Sequence, residues 1–258
     1  MSIRVSIITV CYNSEKTISK TIESVLNQSY ENIEYIIIDG ASTDGTLSII
    51  DQYRDSFQER LKVISEPDDG IYYAMNKGIE LASGEIIGII NSDDWYERGA
   101  VGSVVDAYEE EGEPDYAVIF GNLRSWSENG ELVGESQSCL EGMSEKMTIA
   151  HPSTFVSRST YREFGAFNTK YVSVADYDLI WRYSEEPQIR FIKVDSILAN
   201  FTLGGMCSGR KAGFDLYQLK RDRGQLTEHQ VRVLKFKAYV SSFILKVFHV
   251  NTNRFKKN

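Results

Sequence analysis

The chain reads as an α/β protein: a mostly parallel sheet flanked by helices, with a C-terminal helical extension. Three observations predict this. Short apolar runs alternate with helical spacing through the first hundred residues, the rhythm of βαβ units. Those runs are continuous in Val and Ile rather than alternating, as in strands covered on both faces. Each run ends in polar residues, and such sheets bind ligands beyond the carboxyl ends of their strands.

Taken in order, Val5–Val10 is the first strand, and Glu15–Gln28 follows with Ile18, Ile22, Val25 and Leu26 on one helical face. Ser14 is placed to cap that helix. Tyr35–Ile38 is the second strand, ending at Asp39-Gly40, and Thr46–Tyr53 the second helix. Leu61–Ser65 is the third strand and Tyr72–Ala82 the third helix, closed by Ser83-Gly84. Glu85–Ile90 is the fourth strand, ending at Asn91-Ser92-Asp93-Asp94. Further on, Ala117–Phe120 reads as a strand and Asn122–Gly134 as a hairpin turning at Asn129-Gly130. Tyr161–Gly165 and Tyr177–Tyr183 read as helical, and Phe191–Asp195 as a late strand. Beyond Arg210 the pattern changes to basic helices, so the domains expected are 1–210 and 211–258.

Composition narrows the function. The chain has 258 residues, 42% of them hydrophobic, enough for a large core without staples. Its net charge of −9 argues against a general nucleic-acid binder. The charge is unevenly spread: 16 Lys+Arg against 34 Asp+Glu before Arg210, and 12 against 3 from there on. Cys11, Cys139 and Cys207 are scattered and odd in number, which points to a reducing compartment and no zinc spacing. With no signal-peptide pattern and no long apolar stretch, a cytoplasmic protein is expected. The basic segment Gln225–Lys257 has two open readings: an amphipathic contact at the inner face of the plasma membrane or on a partner, or a cover over the chain's own domain.

The polar strand ends carry the candidate chemistry. Asp93 and Asp94 supply adjacent carboxylates at a strand end, suited to a divalent cation (Mn²⁺ or Mg²⁺) that bridges to substrate phosphates. A helix-start role would explain the same residues. Asp39 is placed to accept hydrogen bonds from a nucleoside, whereas Asp44 reads as the cap of the next helix. Asp68 faces the same crevice or builds a Pro-Asp-Gly turn. Asn76 and Lys77 follow on a helix, and Asn76 is the candidate to line the pocket. Asp176 and Asp178 flank Tyr177, so one of them faces any given pocket; near an acceptor hydroxyl it would remove a proton. His151 reads as a structural histidine. The glycine-rich stretch Gly204–Lys211 is either a phosphate-covering loop or a connector.

Together the motifs resemble the family-2 glycosyltransferases with the GT-A (Rossmann-like) fold. They stand here as Ser6–Asn13 (SIITVCYN), Asp39–Thr46 (DGASTDGT), Glu66–Gly78 (EPDDGIYYAMNKG) and Gly84–Tyr96 (GEIIGIINSDDWY), with Ala175–Leu179 (ADYDL) and Gly204-Gly205 after them. The resemblance spans about residues 1–210 and is nearest to bacterial members that build surface polysaccharides. It implies a nucleotide-sugar donor, a saccharide or lipid-linked acceptor, and an inverting reaction. It places Asp39 and Asp68 in the nucleotide pocket, Asp93 on the metal with Asp94 beside it, and Asp176 as the base. The chain departs from the family pattern at Gly40, where a second Asp is common, at Asn91, and at Ala175, where a Glu usually precedes the base. Asn91 and Ala175 also suit a different class of protein, a nucleotide-sugar-binding module that has lost catalysis. A nucleotidyltransferase fits less well, because Cys11–Glu15 holds no basic glycine-rich loop.

Overall fold

A computed structural model describes residues 2–204 and 210–238. The chain divides into two compact units, Met1–Lys170 with Ala175–Gly205, and Tyr171–Val174 with Met206–Asn258. In the first, β1 (Val5–Cys11), α1 (Ile18–Leu26), β2 (Ile33–Asp39), α2 (Thr46–Gln52), the short α3 (Arg54–Phe57), β3 (Leu61–Ser65), α4 (Ile71–Leu81) and β4 (Ile86–Asn91) make the expected βα alternation. Then come β5 (Trp95–Tyr96), α5 (Ala100–Glu110), β6 (Ala117–Trp126), β7 (Leu132–Ser136), β8 (Thr154–Ser157), α6 (Arg158–Phe164), α7 (Ala175–Ser184) and β9 (Arg190–Thr202).

The described strands form one sheet in the order β3-β2-β1-β4-β8-β6-β9-β5, with β7 paired to β6. Strands β1 to β4 are mutually parallel, β8 runs against both β4 and β6, and β6 runs parallel to β9. The carboxyl ends of β1, β2, β3, β4, β6 and β9 therefore share one edge. The order places β2 and β3 on one side of β1 and β4 on the other, so the chain reverses direction between β1 and β4, where such sheets open a crevice.

The core explains why the strands read as unbroken apolar runs. Every residue of β1 and β2 is buried, because helices cover both faces. Helix α1 buries Ile18, Ile22 and Val25 against the sheet, each contributing roughly 1.5–3 kcal/mol.

Several elements differ from the sequence expectation. Helix α1 starts at Ile18, not Glu15, because residues 14–17 form a turn in which the Ser14 carbonyl accepts from Thr17 and Ile18. Ser14 does not cap it; its hydroxyl pairs with Ser92 at 2.7 Å, tying the loop after β1 to the loop after β4. β6 runs to Trp126 and β9 to Thr202, well past the apolar cores that mark them in the sequence, since their ends pair with each other and tolerate polar residues. Helix α5 and strands β5 and β8 were not anticipated. The hairpin turn does fall at Asn129-Gly130, where Gly130 takes a left-handed φ of 78°.

The second unit contains α8 (Arg210–Asp222) and a helical stretch over 228–238. Within it Asp215 accepts from the main-chain N–H groups of Val172 and Ser173 at 2.6 and 2.7 Å. No described helix is long and apolar enough to cross a membrane. The expectations for Gly205–Gly209 and for 239–258 lie outside the described residues.

Candidate active site

The site is built from the loops that leave the carboxyl edge. After β1 and β2 the chain forms two loops clasped by side chains: Asn13 N–H donates to Ser42 Oγ at 2.8 Å, and Thr43 N–H donates to Asn13 Oδ1 at 2.8 Å. Ser14 N–H donates to Thr46 Oγ1 at 2.7 Å, and Gly45 N–H to Glu15 Oε2 at 2.8 Å. Asn13 and Ala41 both hold left-handed backbone, with φ of 50° and 61°. For Ala41 that costs about 1–2 kcal/mol, and the clasp maintains it. Asp44 performs the helix-start role expected of it, accepting from Thr46 N–H at 3.0 Å.

Asp39 sits at the base of this clasp, fully buried. Its carboxylate accepts from the Ser42 hydroxyl, from Ser42 N–H at 2.9 Å and from Ser65 Oγ at 2.6 Å, while Cys11 Sγ approaches at 3.5 Å. The geometry makes Asp39 the anchor of the 40–46 loop. Tyr12 stands beside Gly40 with its ring 63% exposed, a flat apolar face at the mouth of the crevice.

After β3, Asp68 pairs with Lys77 at 2.6 Å through Oδ1, and its Oδ2 is buried without a hydrogen-bond partner. Lys77 also pairs with Glu66 at 2.6 Å. The hydrogen bonds it donates to both carboxylates, that to Asp68 first, hold its ammonium above the usual lysine range. Asn76 turns elsewhere: its amide donates to Phe167 O at 2.9 Å and accepts from Phe167 N–H at 3.0 Å. That two-way clamp gives Asn76 a packing role and does not bring it to Asp68.

After β4, the turn Asn91–Asp94 is closed by Asp94 N–H donating to Asn91 O at 3.2 Å. Asp94 is fully buried, with Oδ1 accepting from Thr202 N–H at 2.9 Å and Oδ2 unpartnered. The Thr202 hydroxyl donates to the Asp93 carbonyl at 2.7 Å, and the Thr21 hydroxyl to the Asp94 carbonyl at 2.7 Å. Burial pushes the Asp94 carboxyl well above the usual carboxylate range, and the charge of Asp93 adds to it. Burial raises half-buried Asp93 as well. Asp94 Oδ2 and Asn91 Oδ1 are buried oxygens without hydrogen-bond partners on the same turn as Asp93, and hard oxygen donors of this kind fit Mg²⁺ or Mn²⁺.

The two carboxylates at the start of helix α7 have different surroundings. Asp178 is buried and pairs with Arg182 at 3.1 Å, and Arg182 donates onward to the carbonyls of Phe164 and Ala166. Asp178 thus holds the chain between α6 and α7. Asp176 is half-buried, and its Oδ1 accepts from the Tyr72 hydroxyl at 3.0 Å and from Tyr177 N–H at 2.9 Å. His151 lies close enough for the Asp176 charge to act on it; burial lowers the imidazole below the usual histidine range despite that charge. Its Nε2 is buried without a partner, and its ring meets Phe167 edge-on at 5.8 Å.

Sequence reasoning missed Tyr72, Thr202, Ser42 and Ser65. The last two follow apolar runs and carry no signal of their own. Thr202 was hidden by the shortened reading of β9. Tyr72 lies within the motif Glu66–Gly78 but is unremarkable there without its partner in space.

The carboxyl edge therefore defines an α/β enzyme with an acidic, cation-compatible crevice and a separate half-buried carboxylate. Residues 6–164 match glycosyl transferase family 2, and the chain belongs to that family. It is 29% identical over 203 residues to the PGL/p-HBAD biosynthesis glycosyltransferase of Mycobacterium tuberculosis, covering 78% of each chain. It is 29% identical over 204 residues to the chondroitin synthase of Pasteurella multocida, covering 78% of this chain and 21% of that one. Among solved structures, Staphylococcus aureus TarS 1–349 in complex with UDP-GlcNAc superposes with a TM-score of 0.66 at 20% identity, over 84% of this chain and 64% of that one. The mannosyltransferase PcManGT from Pyrobaculum calidifontis, in complex with GDP-Man and Mn²⁺, gives 0.62 at 16% identity, over 92% and 70%. The fold is GT-A, and the chain is a glycosyltransferase.

Proposed function

We propose that the chain transfers a sugar, with inversion, from a nucleoside-diphosphate sugar to a hydroxyl of a saccharide or lipid-linked acceptor. The observation that carries this reading is the carboxylate pair after β4, with its orphaned buried oxygens at the reversal point of the sheet. The nucleotide-sugar ligands of TarS and PcManGT support it, as do the polysaccharide and glycolipid roles in the names of the relatives.

In this reading the clasped loops after β1 and β2 receive the nucleoside, with the exposed Tyr12 ring as a stacking face and Asp39 holding the loop in shape. Asp68 lines the same pocket from the loop after β3, steadied by Lys77. Asp93 would hold a divalent cation, Mn²⁺ or Mg²⁺, with Asp94 and Asn91 beside it. When bound, that cation supplies positive charge to the diphosphate leaving group. Asp176 takes the proton of the acceptor hydroxyl as its oxygen attacks the anomeric carbon and the carbon–phosphate-oxygen bond breaks. The basic segment Gln225–Lys257 suits an anionic lipid surface; pelleting of the chain with anionic but not neutral liposomes, reversed by salt, supports this, and equal pelleting with both overturns it.

The test of the chemistry is donor turnover with Mn²⁺ across a panel of nucleotide-sugars, comparing the parent with Asp93→Ala and Asp176→Asn. Losses of about 100-fold or more are expected in each, the usual weight of a general base or charge-stabilising group. Undiminished turnover in both variants overturns the assignment.

A further inference from the structure

Ala175 stands where the family pattern has a Glu beside the base, so any support for Asp176 must come from elsewhere in the fold. Among the described residues, two donors reach the Asp176 side chain, and both reach the same oxygen. Tyr177 N–H is local to the helix, while the Tyr72 hydroxyl arrives from α4, over a hundred residues away in sequence. Tyr72 is itself firmly placed. It is 6% exposed, its ring stacks on Phe167 with centroids 5.4 Å apart and planes at 29°, and Phe167 is clamped on both its N–H and C=O by Asn76 of the same helix. Helix α4 thus grips the segment before α7 with Asn76 and, one turn earlier on the same helix, presents the phenol of Tyr72 to the Asp176 carboxylate of α7.

We propose that Tyr72 is the positioning residue of the reaction: its hydroxyl fixes Oδ1 of Asp176 and so leaves Oδ2 aimed at the acceptor hydroxyl. The positioning contact thus comes from a different element, helix α4. This rests on the assignment of Asp176 as the base. A carboxylate with one oxygen pinned has lost rotation about its last bond, and a reacting group misplaced by about 1 Å costs on the order of 100-fold. Fixing the orientation acts on the chemical step and leaves donor binding, which uses other loops, unchanged.

Tyr72→Phe tests this, since it removes one oxygen and keeps the ring that stacks on Phe167. Four forms are compared with the best donor and acceptor of the panel: parent, Tyr72→Phe, Asp176→Ala and the double variant. The expected result is a fall in kcat of about 10- to 100-fold for Tyr72→Phe, with donor KM and thermal midpoint within error of the parent, and no further fall when the change is made on Asp176→Ala. A Tyr72→Phe enzyme with parental kcat, or one whose loss is equal on both backgrounds, overturns the positioning role. If Asp176→Ala itself turns over like the parent, the base assignment fails instead, and the two failures are told apart by that single variant.

Discussion

Asp94 has one oxygen satisfied by Thr202 and the other buried with no donor, in a neighbourhood already negative from Asp93. Nothing in the packing requires a carboxylate there, because an amide would accept from Thr202 equally well. Burying a charge without a partner costs free energy, which is why the carboxyl is pushed up. Asp94→Asn is therefore expected to raise the thermal midpoint by a few degrees, about 1 kcal/mol, while weakening Mn²⁺-dependent binding of a nucleoside diphosphate at least tenfold. Calorimetry and a binding titration on the same preparation check both signs. At this scale the carboxylates themselves were legible, since Asp39, Asp68, Asp93 and Asp176 all follow strand ends or open a helix. Their partners were not. A hydroxyl such as Ser42, Ser65 or Thr202 has no pattern in sequence, and Asp176 and Asp178 are told apart by the Arg182 that pairs with Asp178, a contact the local sequence does not display.

Helix α4 brings Tyr72, Asn76 and Lys77 to three different partners, so its seat on the sheet matters more than any single contact. That seat is set by Gly78: a Cβ there would meet Ile8 Cγ2 of β1 at 2.5 Å, closer than atoms in contact can lie. Gly78→Ala must lift the helix or displace Ile8 in a close-packed core, at a cost of about 1–3 kcal/mol. The same lift draws the Tyr72 hydroxyl away from Asp176. The expected outcome is a protein that still folds, with a midpoint lower by several degrees and a kcat loss resembling that of Tyr72→Phe, measured by thermal scanning and steady-state kinetics. Elements with a strong period were read correctly, α4 among them. The full length of β9 and the two-residue β5 were not, because their residues are ordered by pairing with β6 and with each other, and that information lies far off in sequence.

Across the whole molecule the sheet separates two acidic environments with opposite physics. At the carboxyl edge Asp93 and Asp94 are held up by burial, where a cation would relieve them. At the amino edge Glu34 is just as buried, 0% exposed inside the apolar run of β2, yet fully satisfied. It accepts from Ser6 Oγ at 2.5 Å, Ser83 N–H at 2.5 Å, Ser83 Oγ at 2.8 Å and Gly84 N–H at 3.0 Å, and pairs with Lys62 at 3.1 Å. Burial alone would raise its pKa, but the hydrogen bonds from Ser6, Ser83 and Lys62 outweigh it and hold the group down to about 2, from an ordinary value of 4.5. A carboxylate whose folded pKa is depressed stabilises the fold fully above its unfolded value and loses that contribution as pH falls through the folded one. Glu34→Gln removes the charge but keeps the size, leaving donors from β1, β3 and the turn before β4 short of an acceptor. The expected penalty is about 1–3 kcal/mol at neutral pH. It follows that the gap in thermal midpoint between parent and Glu34→Gln stays constant from pH 8 down to about 5. It then narrows between 4.5 and 2, as the parent protonates and forfeits what the variant never had. A gap that is flat across that lower window would mean that Glu34 acts through packing alone. Because Glu34 lies at the end of the sheet opposite the carboxylates proposed to act in catalysis, the same variant is expected to keep parental turnover at neutral pH and moderate temperature, so stability and activity should separate cleanly along the strand axis.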